Sequence, residues 1–76
     1  MKVTKILREV IDDVATGDSA RVSRVVHRIS QKEVARVMGI SGAMVSFLER
    51  GERRWTSELV EKYETAVANL AGKKHV

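Results

Sequence analysis

The sequence predicts an all-α fold, a bundle of about five short helices in a single domain spanning residues 1–76. Three observations support this class. The 76 residues include no proline and no Asn-Gly or Asp-Gly pair of the kind that favours a β-hairpin. Apolar residues recur at helical spacing along most of the chain. Ser, Thr or Asp residues stand where the later helices would need an N-cap.

The first predicted helix is an extra N-terminal amphipathic segment within residues 1–17. Its apolar stripe follows the spacing i, i+3, i+4, i+7, i+8 and i+11 and consists of Val3, Ile6, Leu7, Val10, Ile11 and Val14. Gly17 is expected to close this helix. So large a stripe must be covered, and the sequence leaves open whether the monomer core or a dimer partner covers it.

The second predicted helix follows a cap at Asp18 or Ser19. Its expected inner positions repeat the helical spacing and are Val22, Val25, Val26 and Ile29. Valine and serine also suit strands, so a strand over the same stretch is the competing interpretation. The i, i+3, i+4, i+7 pattern favours the helix.

The stretch from Ser30 to Gly51 predicts two short helices joined by a tight turn, the unit that places a helix in the major groove of DNA. Ser30 and Glu33 are spaced as a capping box. Gly39 can adopt the left-handed conformation that ends the first helix, and Ser41 can cap the second. The apolar residues that fit the interior of this unit are Val34, Ala35, Met38, Ile40, Val45 and Leu48.

The last predicted helix follows a basic loop and is capped by Thr56 or Ser57. With Thr56 as the cap, Trp55 and Val60 occupy the positions of a hydrophobic staple, which favours packing over base stacking for Trp55. The expected inner face is Leu59, Val60, Tyr63, Ala66, Val67 and Leu70. Residues 72–76 are expected to form a frayed tail.

Residues 19–70 resemble the helix-turn-helix of the lambda Cro and repressor family, also called the XRE family, and in particular its small phage-type regulators. The matching residues are Ser30-Gln31, Glu33, Val34-Ala35, Gly39-Ile40-Ser41, Val45-Ser46 and Leu48-Glu49-Arg50-Gly51. The resemblance implies double-stranded DNA as the partner. It also implies an ion pair between Arg24 and Glu49 and a bond from Gln31 to a backbone phosphate.

Base edges would be met by the first turns of the second helix of this unit, which the resemblance identifies as the recognition helix. Its outward positions are Gly42, Ala43, Met44, Ser46 and Phe47, where relatives usually carry side chains that hydrogen-bond to bases. One interpretation is apolar contact with thymine methyl groups, with Ser41 and Ser46 bonding phosphates or bases. A second is that this apolar surface binds protein. A third is that Met44 and Phe47 partly join the core.

Basic residues are concentrated around the same unit. Residues 19–56 hold eight Arg or Lys against three Glu, within a chain whose net charge is +4. Arg50, Arg53 and Arg54 fall where the recognition helix and the following loop would meet the phosphate backbone, and Lys32 is a weaker candidate. Arg28 and Arg36 are likewise weaker candidates, and simple solvation is the alternative for Arg36. An ordinary solvated basic face is the competing interpretation of the charge alone, whereas together with the motif the charge corroborates contact with DNA.

Catalysis, cofactors and metals find little support in the sequence. There is no cysteine, and the two imidazoles, His27 and His75, lack the neighbours of any known catalytic or metal-binding motif. No signal peptide or membrane-spanning segment is evident, so the expected location is the cytoplasm, with attachment to the nucleoid through DNA.

The leading hypothesis is a sequence-specific transcriptional regulator, a repressor that binds an inverted repeat as a homodimer and inserts residues 42–50 into the major groove. The competing hypothesis is a protein-interaction module, of the antitoxin or anti-repressor kind, that uses Met44 and Phe47 as anchors. A third is a non-specific nucleoid-type binder, for which the ratio of specific to competitor affinity would be low.

Overall fold

The computed structural model describes residues 11–74, and this part of the chain contains four α-helices and no strand. They are α1 (Asp13–Val26), α2 (Gln31–Met38), α3 (Gly42–Glu49) and α4 (Ser57–Lys74). The all-α class is confirmed, but the count of five helices is not. The extra N-terminal helix predicted over residues 3–16 lies mostly outside the described residues.

The core forms where the two short helices α2 and α3 meet the two longer ones. Helix α2 packs on α3 and α4, and α1 packs on α3 and α4. The buried apolar side chains come from α2, α3, α4 and the connecting segments, and none comes from α1. They are Ile29, Val34, Ala35, Val45, Leu48, Trp55, Tyr63, Ala66 and Val67.

Gly17 does not end a helix, so that prediction was wrong. Helix α1 begins after Asp12, whose Oδ1 accepts the backbone N–H of Ala15 at 3.0 Å, and it continues through Gly17 to Val26. A Cβ at Gly17 would lie 2.5 Å from the carbonyl oxygen of Glu49. Glycine therefore serves the close crossing of α1 over the end of α3, which only a residue without a side chain permits.

Three valines predicted to face the core are instead exposed, by 56%, 51% and 69%: Val22, Val25 and Val26. Of that predicted stripe only Ile29, beyond the end of α1, is buried. The residues of α1 that face α3 and α4 are Gly17, Ala20 and Arg24. The close crossing and the ion pair of Arg24 together fix the rotation of α1, and this rotation turns its valines outward.

Helix α4 follows the prediction closely at its start. Thr56 Oγ1 accepts the backbone N–H of Leu59 at 3.1 Å, as expected of the cap. Tyr63, Ala66 and Val67 are buried. The frayed tail predicted from residue 72 onward is wrong for residues 72–74, because α4 includes Gly72 and ends at Lys74. Within residues 11–74 no helix is both long and apolar enough to cross a membrane.

Candidate nucleic-acid interface

The turn between α2 and α3 is built by local hydrogen bonds. Ser30 and Glu33 form the complete capping box, with bonds of 3.0 Å and 2.9 Å. Gly39 ends α2 in the left-handed conformation at φ 75°, and Ser41 Oγ accepts the backbone N–H of Met44 at 3.0 Å. Each of these residues satisfies backbone groups that a helix end leaves open. The turn thus sets where α3 begins.

Helix α3 presents one buried and one exposed side. Val45, Leu48 and Glu49 are buried, whereas Gly42 and Ala43 in the first turn are exposed. Nothing lies within 4 Å of the place where a Cβ of Gly42 would stand. The exposed side is where the resemblance places the contact with base edges.

The remaining candidates on α3 differ in exposure. Met44 is half-buried and packs against the core, and Ser46 is also half-buried. Phe47 is 38% exposed, and the guanidinium carbon of Arg50 lies 5.2 Å from its ring centroid. Phe47 is therefore the largest apolar side chain that this part of α3 offers to a partner.

The structure brings Arg24 and Glu49 together as a bidentate ion pair, in which Glu49 is buried and Arg24 is half-buried. Arg24 Nε donates to Glu49 Oε2 at 2.7 Å, and Nη2 donates to Oε1 at 2.9 Å. The remaining guanidinium nitrogen of Arg24, Nη1, donates to the carbonyl oxygen of Ile29 at 2.9 Å. One guanidinium thus ties α1 to the last residue of α3 and to the segment before α2.

Two further donors complete the hydrogen bonding of the Glu49 carboxylate. Tyr63 Oη donates to Oε2 at 2.6 Å, and Gln31 Nε2 donates to Oε1 at 3.0 Å. Each carboxylate oxygen then accepts two hydrogen bonds, which fills its capacity. Side chains from all four helices meet at this carboxylate, so it fixes the orientation of α3 relative to the rest of the fold.

These contacts shift the pKa values of Glu49, Tyr63 and Arg24. Burial alone raises the pKa of Glu49, but the hydrogen bonds from Arg24, Tyr63 and Gln31 outweigh it, and the pKa is lowered below its usual range. Burial and the bond to Glu49 raise the pKa of Tyr63 well above its ordinary value. The hydrogen bond to Glu49 likewise raises the pKa of Arg24. The stable state of the cluster is therefore the one in which Arg24 and Glu49 are charged and Tyr63 is neutral.

Gln31, predicted to bond a phosphate, is the first residue of α2 and is half-buried. Its amide nitrogen uses one N–H on Glu49, and the same group carries a second N–H and a carbonyl oxygen. Glu49 therefore orients the amide without consuming its hydrogen-bonding capacity.

The basic candidates lie on the surface around these helices. Arg50 follows α3 and is held by Ser46 Oγ and by the carboxylate of Glu52. Arg53, Arg54 and Lys32 are exposed. Within residues 11–74, the ion pairs do not involve any of these three cations.

Sequence reasoning missed two roles of the aromatic residues. Tyr63 was assigned only to the inner face of α4, yet its hydroxyl completes the Glu49 cluster. Trp55 is buried, and its Nε1 donates to the carbonyl oxygen of Leu48 at 2.8 Å near the end of α3. The sequence could indicate only that each side chain, if buried, would need a hydrogen-bond partner for its polar atom, and not which partner.

The positive φ of Arg28 was a further omission from the sequence reasoning. Its φ is 58°, in the left-handed region that residues other than glycine rarely adopt. It lies between the end of α1 and the cap of α2 at Ser30. Nothing in the residue type signals this conformation.

Comparison with known families agrees with this geometry. A family model described as helix-turn-helix matches residues 27–67, more than half of the chain. The chain therefore belongs to this helix-turn-helix family, of the Cro-like or XRE type, and it is a DNA-binding helix-turn-helix protein. No curated protein and no solved structure matches the chain.

Proposed function

We propose that this chain is a sequence-specific transcriptional regulator that inserts α3 into the major groove of double-stranded DNA. The observation that carries the proposal is the fixed presentation of α3. Its last residue, Glu49, is held by donors from three other helices, while its first turn is exposed. A rigid element with an open face is what base readout requires, because the contacts must form in one register.

Phosphate contacts come from residues on either side of α3. The oriented amide of Gln31 and the exposed Lys32 stand at the start of α2, and Arg53 and Arg54 stand in the loop after α3. Cations on both sides of a groove-binding helix fix its register on the duplex. Ser41 and Ser46 supply hydroxyls at the helix itself.

The active form is a homodimer on an inverted repeat, with half-sites about one helical turn apart. The exposed valines of α1 support this form, because Val22, Val25 and Val26 leave an apolar surface opposite the core. Repression follows from occlusion of a promoter by the bound dimer.

The dimer is tested by placing a charge on that surface. Val22→Asp should shift the sedimentation coefficient from dimer to monomer, because an aspartate must be desolvated at an apolar interface. Val37→Asp is the matched control, since Val37 is also an exposed valine but lies on α2. A monomeric parent chain, or equal effects of the two substitutions, would contradict this interface.

DNA binding through the basic loop is tested by Arg53→Ala and Arg54→Ala, singly and together. Each should weaken binding to every duplex and reduce the slope of log K against log salt by about one. Lys62→Ala is the control, because Lys62 lies on α4 and pairs with Glu58. Unchanged salt slopes in both arginine variants would contradict these contacts.

The competing function, a protein-interaction module anchored by Met44 and Phe47, has weaker support. Met44 packs against the core, so only Phe47 remains as a large exposed apolar anchor on α3. The double variant Arg53→Ala, Arg54→Ala separates the two functions, because it removes DNA affinity and spares a protein contact made by Phe47.

A further inference from the structure

The serine oxygens on the outward side of α3 already accept hydrogen bonds within the protein. Ser41 Oγ accepts the N–H of Met44 as the cap. Ser46 Oγ accepts from Arg50, and the same guanidinium also donates to Glu52. Each serine keeps an O–H that can still donate, whereas the outward side chains of Ala43 and Phe47 are purely hydrocarbon and can make only apolar contacts.

The Phe47 ring is also held in place. The guanidinium of Arg50 lies 5.2 Å from the ring centroid, and it also donates to Ser46 Oγ and to the Glu52 carboxylate. A cation over an aromatic face contributes roughly 0.5 to 1 kcal/mol at exposed sites. This contact favours the observed position of the ring on the exposed side of α3.

The major groove offers one hydrocarbon group at the base edges, the C5-methyl of thymine. A methylated cytosine carries the same methyl on the same ring carbon. An apolar surface gains more binding energy from burying such a methyl than from burying the bare C5–H edge of uracil or cytosine. The missing side chain of Gly42 leaves space for the helix to approach this edge.

We propose that α3 reads the C5-methyl group of a pyrimidine through Ala43 and Phe47, and that it accepts thymine and 5-methylcytosine alike. This inference rests on the proposed function and specifies the chemistry of its base readout. It predicts that specificity depends on a methyl group rather than on hydrogen bonds from the first turn of α3.

The test uses the best duplex selected from a random pool, with each thymine replaced in turn by deoxyuridine, which keeps base pairing and removes only the methyl. Affinity should fall about fourfold for each contacted methyl. At the same position, methylation of a C·G pair should raise affinity by a similar factor. A gain with thymine but none with 5-methylcytosine would restrict the readout to thymine and overturn the shared recognition.

Protein variants assign the effect to the side chain. Phe47→Ala should reduce the preference for thymine over deoxyuridine to the part that Ala43 supplies, whereas Phe47→Leu, which keeps an apolar side chain, should retain more of it. Val37→Ala removes an exposed apolar side chain from α2 and should leave the preference intact. A circular dichroism spectrum of each variant verifies the helix content.

Two results would overturn the proposal in different ways. If the selected duplex binds specifically but every deoxyuridine substitution leaves affinity unchanged, methyl readout is wrong and the proposed regulator function stands. If no duplex binds more tightly than scrambled DNA, both the readout and the sequence-specific function are wrong.

Discussion

At the residue scale, Glu49 is the group on which the arrangement of helices depends. Its carboxylate is buried at the end of α3 and accepts from Arg24, Tyr63 and Gln31. A buried ion pair adds little net stability compared with a well-packed apolar pair, but removal of one partner leaves an uncompensated charge. The cluster therefore acts mainly to select one orientation of α3.

Arg24→Ala should lower the free energy of unfolding by about 3 to 5 kcal/mol, because it leaves Glu49 charged and buried. Arg50→Ala is the matched control. It breaks the Arg50–Glu52 pair, whose side chains are 52% and 54% exposed, and should cost less than about 1 kcal/mol. Urea unfolding at neutral pH measures both. Equal losses would show that the Arg24 pair is not buried in solution.

Tyr63→Phe should lower the free energy of unfolding at neutral pH by roughly 1.5 to 3 kcal/mol, the contribution of a hydrogen bond to a charged group. The pKa of Tyr63 is raised in the folded state, so this contribution is fully present below the unfolded value of about 10 and is lost as pH rises above it. The advantage of the parent over the variant should therefore shrink above about pH 10. Tyr63 is the single tyrosine, so its absorbance reports the titration directly. An ordinary pKa in the folded protein would contradict the bond.

A fall in pH should lower the stability of the protein through protonation of Glu49. Its pKa is lowered in the folded state, so its stabilisation is present above the unfolded value of about 4.3 and is lost as pH falls through the lower folded value. Thermal unfolding between neutral and acidic pH measures this loss, and Glu49→Gln should flatten the curve in that range. An identical acid profile in the variant would assign the titration to another carboxyl group.

At the scale of elements, the sequence predicted the parts with strong local signals and missed the rotation of α1. The caps at Ser30 and Ser41 and the left-handed turn at Gly39 follow from residue type and spacing, and the structure has them. The face of α1 does not follow from its valines. It depends on contacts with residues 25 or more positions away, which no local pattern contains.

The same distinction applies to the candidate interface. Spacing was enough to place Gly42, Ala43 and Phe47 on an outward face, because α3 is a regular helix anchored by Val45 and Leu48. The engagement of Ser46 by Arg50, and of Gln31 by Glu49, depends on side-chain geometry. Sequence alone therefore identified the outward face of α3 but not the hydrogen bonds that its polar groups make within the protein.

Gly17→Ala tests the close crossing of α1 and α3. Alanine usually stabilises a helix interior by roughly 0.5 to 1 kcal/mol relative to glycine. At Gly17 the added methyl would meet the Glu49 and Leu48 carbonyl oxygens at 2.5 and 2.6 Å, so a loss of about 1 to 3 kcal/mol is expected. Gly72→Ala, which meets open space in α4, should be neutral or stabilising. Thermal unfolding compares the two, and stabilisation by Gly17→Ala would contradict the crossing.

At the scale of the whole molecule, a small core and an excess of basic residues around α3 combine in one chain. Four of the six large exposed apolar side chains in residues 11–74 lie on α1, while two exposed arginines, Arg53 and Arg54, lie in the loop after α3. Under the proposed function, the valines of α1 would bind a second copy while α3, Arg53 and Arg54 face DNA. Dimerisation would then add buried area to a chain of only 76 residues and double the number of phosphate contacts.

Selection of bound duplexes from a random DNA pool, followed by titration of the winner against scrambled DNA at two salt concentrations, tests the central claim most directly. Sequence-specific regulation predicts a palindromic winner bound about a thousandfold or more tightly than scrambled DNA. Two copies of the chain should occupy each winner. No enriched sequence, together with weak binding that disappears as salt is raised, would contradict the claim and leave only attraction to phosphates.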